Sequence, residues 1–225
     1  MASVIIEEQI EIPADIRSLG DFRRWAQSDE FPERGRIDYI AGRIEVDMSP
    51  EDFFCHGTLK GELIGKLYQK IVPNNLGHLV TDSTRISTPV ADLSVEPDIV
   101  FISHETLDTG RARLVPRPAH PPGHYAEVEG APDLVVEIVS DSSVTKDTVR
   151  LPEAYAAAGV REFWLADARK EPLVFKIHHL IGQTYQAVEP DSDGFMQSNV
   201  FHCRFRLDGQ RDDRGHWKFD LVGAK

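Results

Sequence analysis

The chain has 225 residues, 41% hydrophobic and 28% charged, enough to bury a full core and suited to one elaborated domain more readily than two. Its formal charge of -12 argues against a protein that coats nucleic acid through a general positive field, since phosphate neutralisation dominates non-specific affinity. Cys55 and Cys203 lie far apart without metal-ligand spacing, which argues against a disulfide framework or a zinc site. The opening MASVIIEEQIEI has no basic n-region or long apolar stretch, and no later segment approaches the ~20 apolar residues of a membrane helix. The expectation is a soluble, cytoplasmic protein with no membrane partner.

Ser18 to Gln27 carries Leu19, Phe22, Trp25 and Ala26 on one side and Asp21, Arg23 and Arg24 on the other, which predicts a short helix. RIDYIAGRIEVDMS, from Arg36 to Ser49, alternates as a hairpin with Ala41 and Gly42 at its turn. From His56 to Ile71, the positions Leu59, Leu63, Ile64, Leu67 and Ile71 follow helical spacing, while Lys60, Glu62, Lys66 and Lys70 lie largely elsewhere. His56 falls on the apolar face and points toward the sheet, as either a catalytic histidine or a satisfied buried one. Glu62 falls on the opposite side from Leu63 and Leu67 and stays outside the core site.

A strand is expected around His78 to Ile86. Two Pro-Asp steps follow, VEPDIVFIS at Val95 to Ser103 and APDLVVEIVS at Ala131 to Ser140, each opening a β-type run. The second holds Glu137 where a plain buried strand has another Val or Ile. Three carboxylates, Asp98, Asp133 and Glu137, thus start or interrupt apolar strands, a costly arrangement unless a cation compensates them. If their strands are adjacent, Asp98 and Glu137 can hold a divalent ion, magnesium or manganese, through hard oxygen ligands suited to metal-assisted phosphodiester hydrolysis. The alternatives are an ion pair for Glu137 and a turn-shaping role for Asp98. Asp133 shares the face of Glu137 but lies about 13 Å away along the strand, so it ranks third.

Between the two runs, GRARLVPRPAHPPGHY at Gly110 to Tyr125 carries Arg111, Arg113, Arg117, His120 and His124 with no acid. It reads either as a Pro-rich solvated loop or as a phosphate-binding one. After Glu137 a helix from about Lys146 to Ala158, capped by Gly159, leads to a strand at Glu162 to Asp167, implying a parallel pair with a right-handed crossover. Asp147 favours the helix start, where exposed amides and the dipole stabilise a carboxylate. Pro172 to Val222 alternates as antiparallel strands extending the sheet, with Asp191 to Gly194 a turn rather than a calcium loop.

The order α-β-β-β-α-β, with Asp98 and Glu137 on successive strands, resembles the PD-(D/E)XK nuclease superfamily. More narrowly, PDLVVEIVSDSSVTKDTVRLPEAYAAAGVREFWLAD is similar to the signature of the bacterial Uma family of restriction-endonuclease-like proteins. The resemblance covers roughly Phe31 to Asp167. It implies a mixed α/β fold, a restriction-endonuclease-like core with extra antiparallel strands at both ends, in one domain over residues 1–225. It also implies an endonuclease dependent on Mg2+ or Mn2+, acting on nucleic acid and on DNA before RNA, from a group in which homodimers are common. By the same resemblance Asp98 and Glu137 are the metal-binding carboxylates, and His56 matches a position where the family often has histidine.

The chain departs from that pattern at the lysine. Two residues after the glutamate stands Val139, and the position in the following helix where relatives carry the lysine is Leu151. Lys146 and Arg150 flank the gap; Lys146 is the better activator, since an ammonium can shift its pKa on burial while an arginine only stabilises charge. Both also read as ordinary surface charges near a helix start. With Arg111, Arg113 and Arg117, Arg150 is a candidate for contact with the phosphate backbone. The competing reading is a catalytically weak or inactive nuclease-fold module that binds nucleic acid or a protein.

Overall fold

The computed structural model describes residues 10–32 and 34–224. The first nine residues, read above for a targeting signal, lie outside them. Helix α1 (Leu19–Ala26) precedes a hairpin of β1 (Arg36–Ile40) and β2 (Arg43–Asp47). A π-helical turn at Phe53–Thr58 runs into α2 (Leu59–Ile71), followed by β3 (Gly77–Thr81), β4 (Arg85–Thr88), β5 (Leu93–Val95) and β6 (Ile99–Ser103). Then come α3 (His104–Asp108), β7 (Ala112–Pro116), β8 (Tyr125–Gly130) and β9 (Leu134–Ile138). A second π-helical turn at Lys146–Arg150 opens α4 (Leu151–Ala158), and β10 (Glu162–Asp167) follows. The last strands are β11 (Val174–Ile181), β12 (Thr184–Ala187), β13 (Met196–Ser198), β14 (Cys203–Arg211) and β15 (Trp217–Ala224).

Local chemistry sets several of these boundaries. The Ser18 hydroxyl accepts the Asp21 N–H and caps α1. Ala41 and Gly42 take φ of 48° and 79°, the positive values a tight two-residue hairpin turn requires. Gly159, at φ 85°, ends α4 in the left-handed conformation that costs a glycine least.

The central sheet runs in the order β12-β11-β10-β9-β6-β3 and contains the α-β-β-β-α-β core as α2, β3, β6, β9, α4 and β10. Strands β9 and β10 are parallel, joined by the α4 crossover, and every other pair in this sheet is antiparallel. Alternation along β9 sends Leu134, Val136 and Ile138 to one face, where they pack with Leu59, Leu63 and Leu67 of α2. Val135 and Val139 pack on the other face with Leu151 and Tyr155 of α4. Burying each of these aliphatic side chains stabilises the fold by roughly 1.5–3 kcal/mol.

Three expectations need correction. The strand expected from His78 to Ile86 is two strands in different sheets: β3 closes the central sheet, and β4 joins a second sheet ordered β2-β1-β5-β4-β8-β7. Ser83, at φ 53°, breaks the run between them. The basic stretch from Gly110 to Tyr125 is largely a hairpin, with Arg113 of β7 opposite Glu129 of β8, because Ala112 and Leu114 alternate toward the core. At the C-terminus β11 and β12 do extend the central sheet, but β13-β14-β15 form a separate three-stranded sheet. Its Phe205, Leu207, Trp217, Phe219 and Leu221 belong to the same core as α2.

Candidate functional site

Strands β6 and β9 are antiparallel with Ile99 opposite Val136, so continuing the register by one residue sets Asp98 opposite Glu137. Both side chains are essentially inaccessible, at 0% and 1% exposure. The Asp98 carboxylate closes the end of the sheet, where its Oδ2 accepts the Ile138 N–H at 2.8 Å. Glu137 lies on the Val135 side of β9 and accepts the Tyr155 hydroxyl of α4 at 2.5 Å. Asp133 sits at the opposite end of β9, where Thr106, Arg161 and the Ser103 N–H satisfy it as a structural anchor.

Three cationic or protonatable groups surround Asp98. Arg36 Nη2, from β1, lies 2.9 Å from Oδ1; Lys60 Nζ, from α2, lies 3.2 Å from Oδ1; and His56 Nε2 lies 3.4 Å from Oδ2. Burial pushes the Asp98 pKa up, but the His56 hydrogen bond and the Arg36, His56 and Lys60 charges outweigh it and hold the carboxyl well below the usual range. Glu137 is shifted the other way: burial, then the negative charges of Asp98 and Asp147, push it well above the usual carboxylate range. Two facing carboxyls with opposite shifts are a mark of functional sites.

Glu51 joins this group from the loop after β2. Its Oε2 is 3.1 Å from His56 Nδ1, yet that buried nitrogen makes no well-formed hydrogen bond. Ligand atoms of Glu51, His56 and Asp98 all lie within 4.8 Å of one another. His56 thus has a carboxylate at each ring nitrogen and an Nδ1 without a hydrogen bond, and hard oxygen donors with imidazole together suit a divalent cation. Glu137 stands outside this triad, on the other strand.

Lys146 and Arg150 both lie on the π-helical turn that opens α4. Lys146 Nζ meets Asp38 Oδ2 at 2.9 Å, and Arg150 meets Glu45 Oε2 at 2.7 Å. With Arg36, Asp38, Glu45 and Asp47 they line a cavity of about 440 Å³, in which each cation is paired with an acid. Burial lowers the Lys146 pKa, but Asp38, Glu137 and Asp147 outweigh it and the ammonium is held charged. Leu151 is a core residue at 1% exposure. Asp147 is no solvated helix-start charge: it is 1% exposed and bonds the Ser143 hydroxyl, and burial pushes its pKa up to about 7. It sits buried with Lys146 on the π-helical turn.

The basic stretch lies elsewhere. Arg111 bonds the carbonyls of Ala131 and Pro132, and its Nη1 is 3.7 Å from Asp133. Arg113 pairs with Glu129, and Arg117 is exposed on the loop between β7 and β8. The structure therefore brings together Asp98, Glu137, His56, Lys146 and Arg150, and leaves Arg111 at the Asp133 end, Arg113 paired with Glu129, and Arg117 at the loop end of the β7–β8 hairpin. Sequence reasoning overlooked Arg36, Asp38, Glu51, Lys60, Asp147 and Tyr155. Arg36 and Asp38 share a strand face with buried Ile40, and Lys60 lies one turn after His56, so period two and period four carried a signal for those three. Glu51 carried none.

A four-stranded core between two helices, with acids facing across its middle strands, defines a restriction-endonuclease-like nuclease fold. The chain belongs to the Uma2 family, described as putative restriction endonuclease, whose sequence model matches residues 19–209. A crystal structure of a putative nuclease belonging to DUF820 from Anabaena variabilis ATCC 29413 is similar in fold, with a TM-score of 0.54 and 20% identity over 82% of this chain and 90% of that one. No protein of curated function matches. Among the described residues no helix is long and apolar enough to cross a membrane.

Proposed function

We propose that the protein is a metal-dependent nuclease that hydrolyses phosphodiester bonds of nucleic acid, with DNA as substrate. The observation that carries this is the facing pair Asp98 and Glu137, buried, oppositely shifted in pKa and adjoined by the Glu51–His56–Asp98 donor set. Asp98, His56 and Glu51 would hold Mg2+ or Mn2+, with Glu137 as the further carboxylate. When bound, such an ion polarises a phosphoryl oxygen and lowers the pKa of water.

The chain's own residues account for the rest. Arg36, Lys146 and Arg150 line the cavity beside the carboxylates and supply positive charge for a phosphodiester entering it. Lys146, lining the cavity and held charged by Asp38, Glu137 and Asp147, takes the part of the missing lysine. Arg117, exposed on its loop, is the member of the basic stretch free to meet the nucleic-acid backbone beyond the cavity. A cytoplasmic setting and a homodimer that cuts both strands belong to the same reading.

One observation favours a second reading, a nuclease fold that binds without cutting: Leu151 is sealed in the core and Lys146 is tied to Asp38. Incubating the protein with supercoiled plasmid and single-stranded DNA separates the two. Nicking that requires Mg2+ or Mn2+ and stops with chelator supports the nuclease; retention of DNA at low salt without cleavage under any metal supports the binding module.

A further inference from the structure

Lys60 is a buried ammonium, 5% exposed, one helical turn beyond His56. Its Nζ lies 2.8 Å from Glu51 Oε1, 3.2 Å from Asp98 Oδ1 and 2.8 Å from Asp82 Oδ1. Two of these partners are carboxylates of the donor triad. The third, Asp82, follows β3, has a side chain 51% exposed, and is no part of the triad. Lys60 therefore holds, with one positive charge, the same two carboxylates that a divalent ion would need.

We propose that Lys60 is a built-in counter-cation that competes with a divalent metal ion for Glu51 and Asp98, and that Asp82 receives its ammonium when the ion binds. This rests on the metal reading of the triad. A buried lysine needs a partner, and the carboxylates need a cation whenever no metal neutralises them; Lys60 satisfies both conditions. An incoming ion and the ammonium repel, so an ion held by Glu51 and Asp98 weakens the hold of Lys60 on both. Lys60 already touches an exposed acid outside the triad, and its flexible four-carbon stem lets the ammonium shift toward it. Arg36 is not the displaced cation. Its planar fork holds Asp98 from β1 and only reaches to 3.9 Å from Glu51, so it does not bridge the two carboxylates as Lys60 does. The consequence is a site poised between an internally neutralised state and a metal-loaded one, its metal affinity set by Lys60.

Calorimetric titration of metal-free, full-length protein with MnCl2, without nucleic acid, tests this. Lys60→Met is expected to bind Mn2+ about tenfold or more tightly than wild type, the effect of removing one adjacent like charge, and Asp82→Asn about tenfold more weakly. Opposite signs are the signature, since a purely structural lysine would weaken binding when lost and leave Asp82 without effect. Asp82 is half exposed, so Asp82→Asn keeps the test intact if Lys60→Met does not fold. Wild-type binding that is lost in Asp98→Asn, with Lys60→Met no tighter or Asp82→Asn unchanged, overturns the Lys60 proposal and leaves the metal reading standing. No Mn2+ binding by any variant or by wild type overturns both.

Discussion

Lys146 Nζ lies 2.9 Å from Asp38 Oδ2, and with exposures of 5% and 1% the pair ties the start of α4 to the first strand of the hairpin. Removing one partner strands a buried charge. Lys146→Met should therefore destabilise the protein by about 3–5 kcal/mol in urea unfolding, and adding Asp38→Leu should recover part of that loss. Equal stability of Lys146→Met and wild type would show that the pair carries no such weight.

The hydrogen bond from Tyr155 to Glu137 makes a smaller prediction. Tyr155→Phe leaves a buried acceptor without its donor while keeping the ring, and should cost about 1–3 kcal/mol in chemical denaturation. An unchanged midpoint would contradict the contact.

Asp147 sets a pH dependence. Its folded pKa, pushed up to about 7 by burial, exceeds the ordinary value of 3.8, so the folded state holds a proton that the unfolded chain releases. The stability it contributes is complete below about pH 4 and is lost as pH rises through about 7. Unfolding free energies measured across that window should fall less steeply in Asp147→Asn than in wild type. Glu137, also raised, adds to the same slope, whereas Asp98, held low, contributes stability that is complete above about pH 4 and is lost progressively as pH falls below it.

Much of the fold was legible because its signals are local. Apolar spacing in α2, the Gly159 cap and the two Pro-Asp runs marked the α-β-β-β-α-β core, and an acid inside an apolar strand marked Glu137. The second sheet was not legible. It is assembled from β1, β2, β4, β5, β7 and β8, short segments whose pairing is non-local, and the break at Ser83 hides inside an apolar stretch. The cations around Asp98 come from three separate elements: Arg36 on the hairpin, His56 on the π-helical turn and Lys60 on α2. Each looks like an ordinary charge or histidine until the chain folds. Asp147 misled because a carboxylate near a helix start is usually solvated, whereas here it is buried and bonded to the Ser143 hydroxyl.

Leu151 offers a gain-of-function test. It stands one turn before Tyr155, the partner of Glu137, so a lysine there can reach toward that carboxyl. Leu151→Lys should cost about 2–5 kcal/mol of stability for the lost core side chain. It should also raise metal-dependent cleavage about 100-fold if the missing lysine limits the chemistry. Cleavage no faster than wild type would show that Lys146 already supplies what is needed or that the fold has left catalysis behind.

The proposed function requires that Asp98 and Glu137 act as one metal-dependent hydrolytic site. Its most direct test is cleavage of supercoiled plasmid and single-stranded DNA with Mg2+ or Mn2+ by wild type, Asp98→Ala and Glu137→Ala, each first shown to be folded. Metal-dependent nicking by wild type that vanishes in both variants is expected; nicking that persists in either, or no cleavage by folded wild type under any condition, would contradict the proposed function.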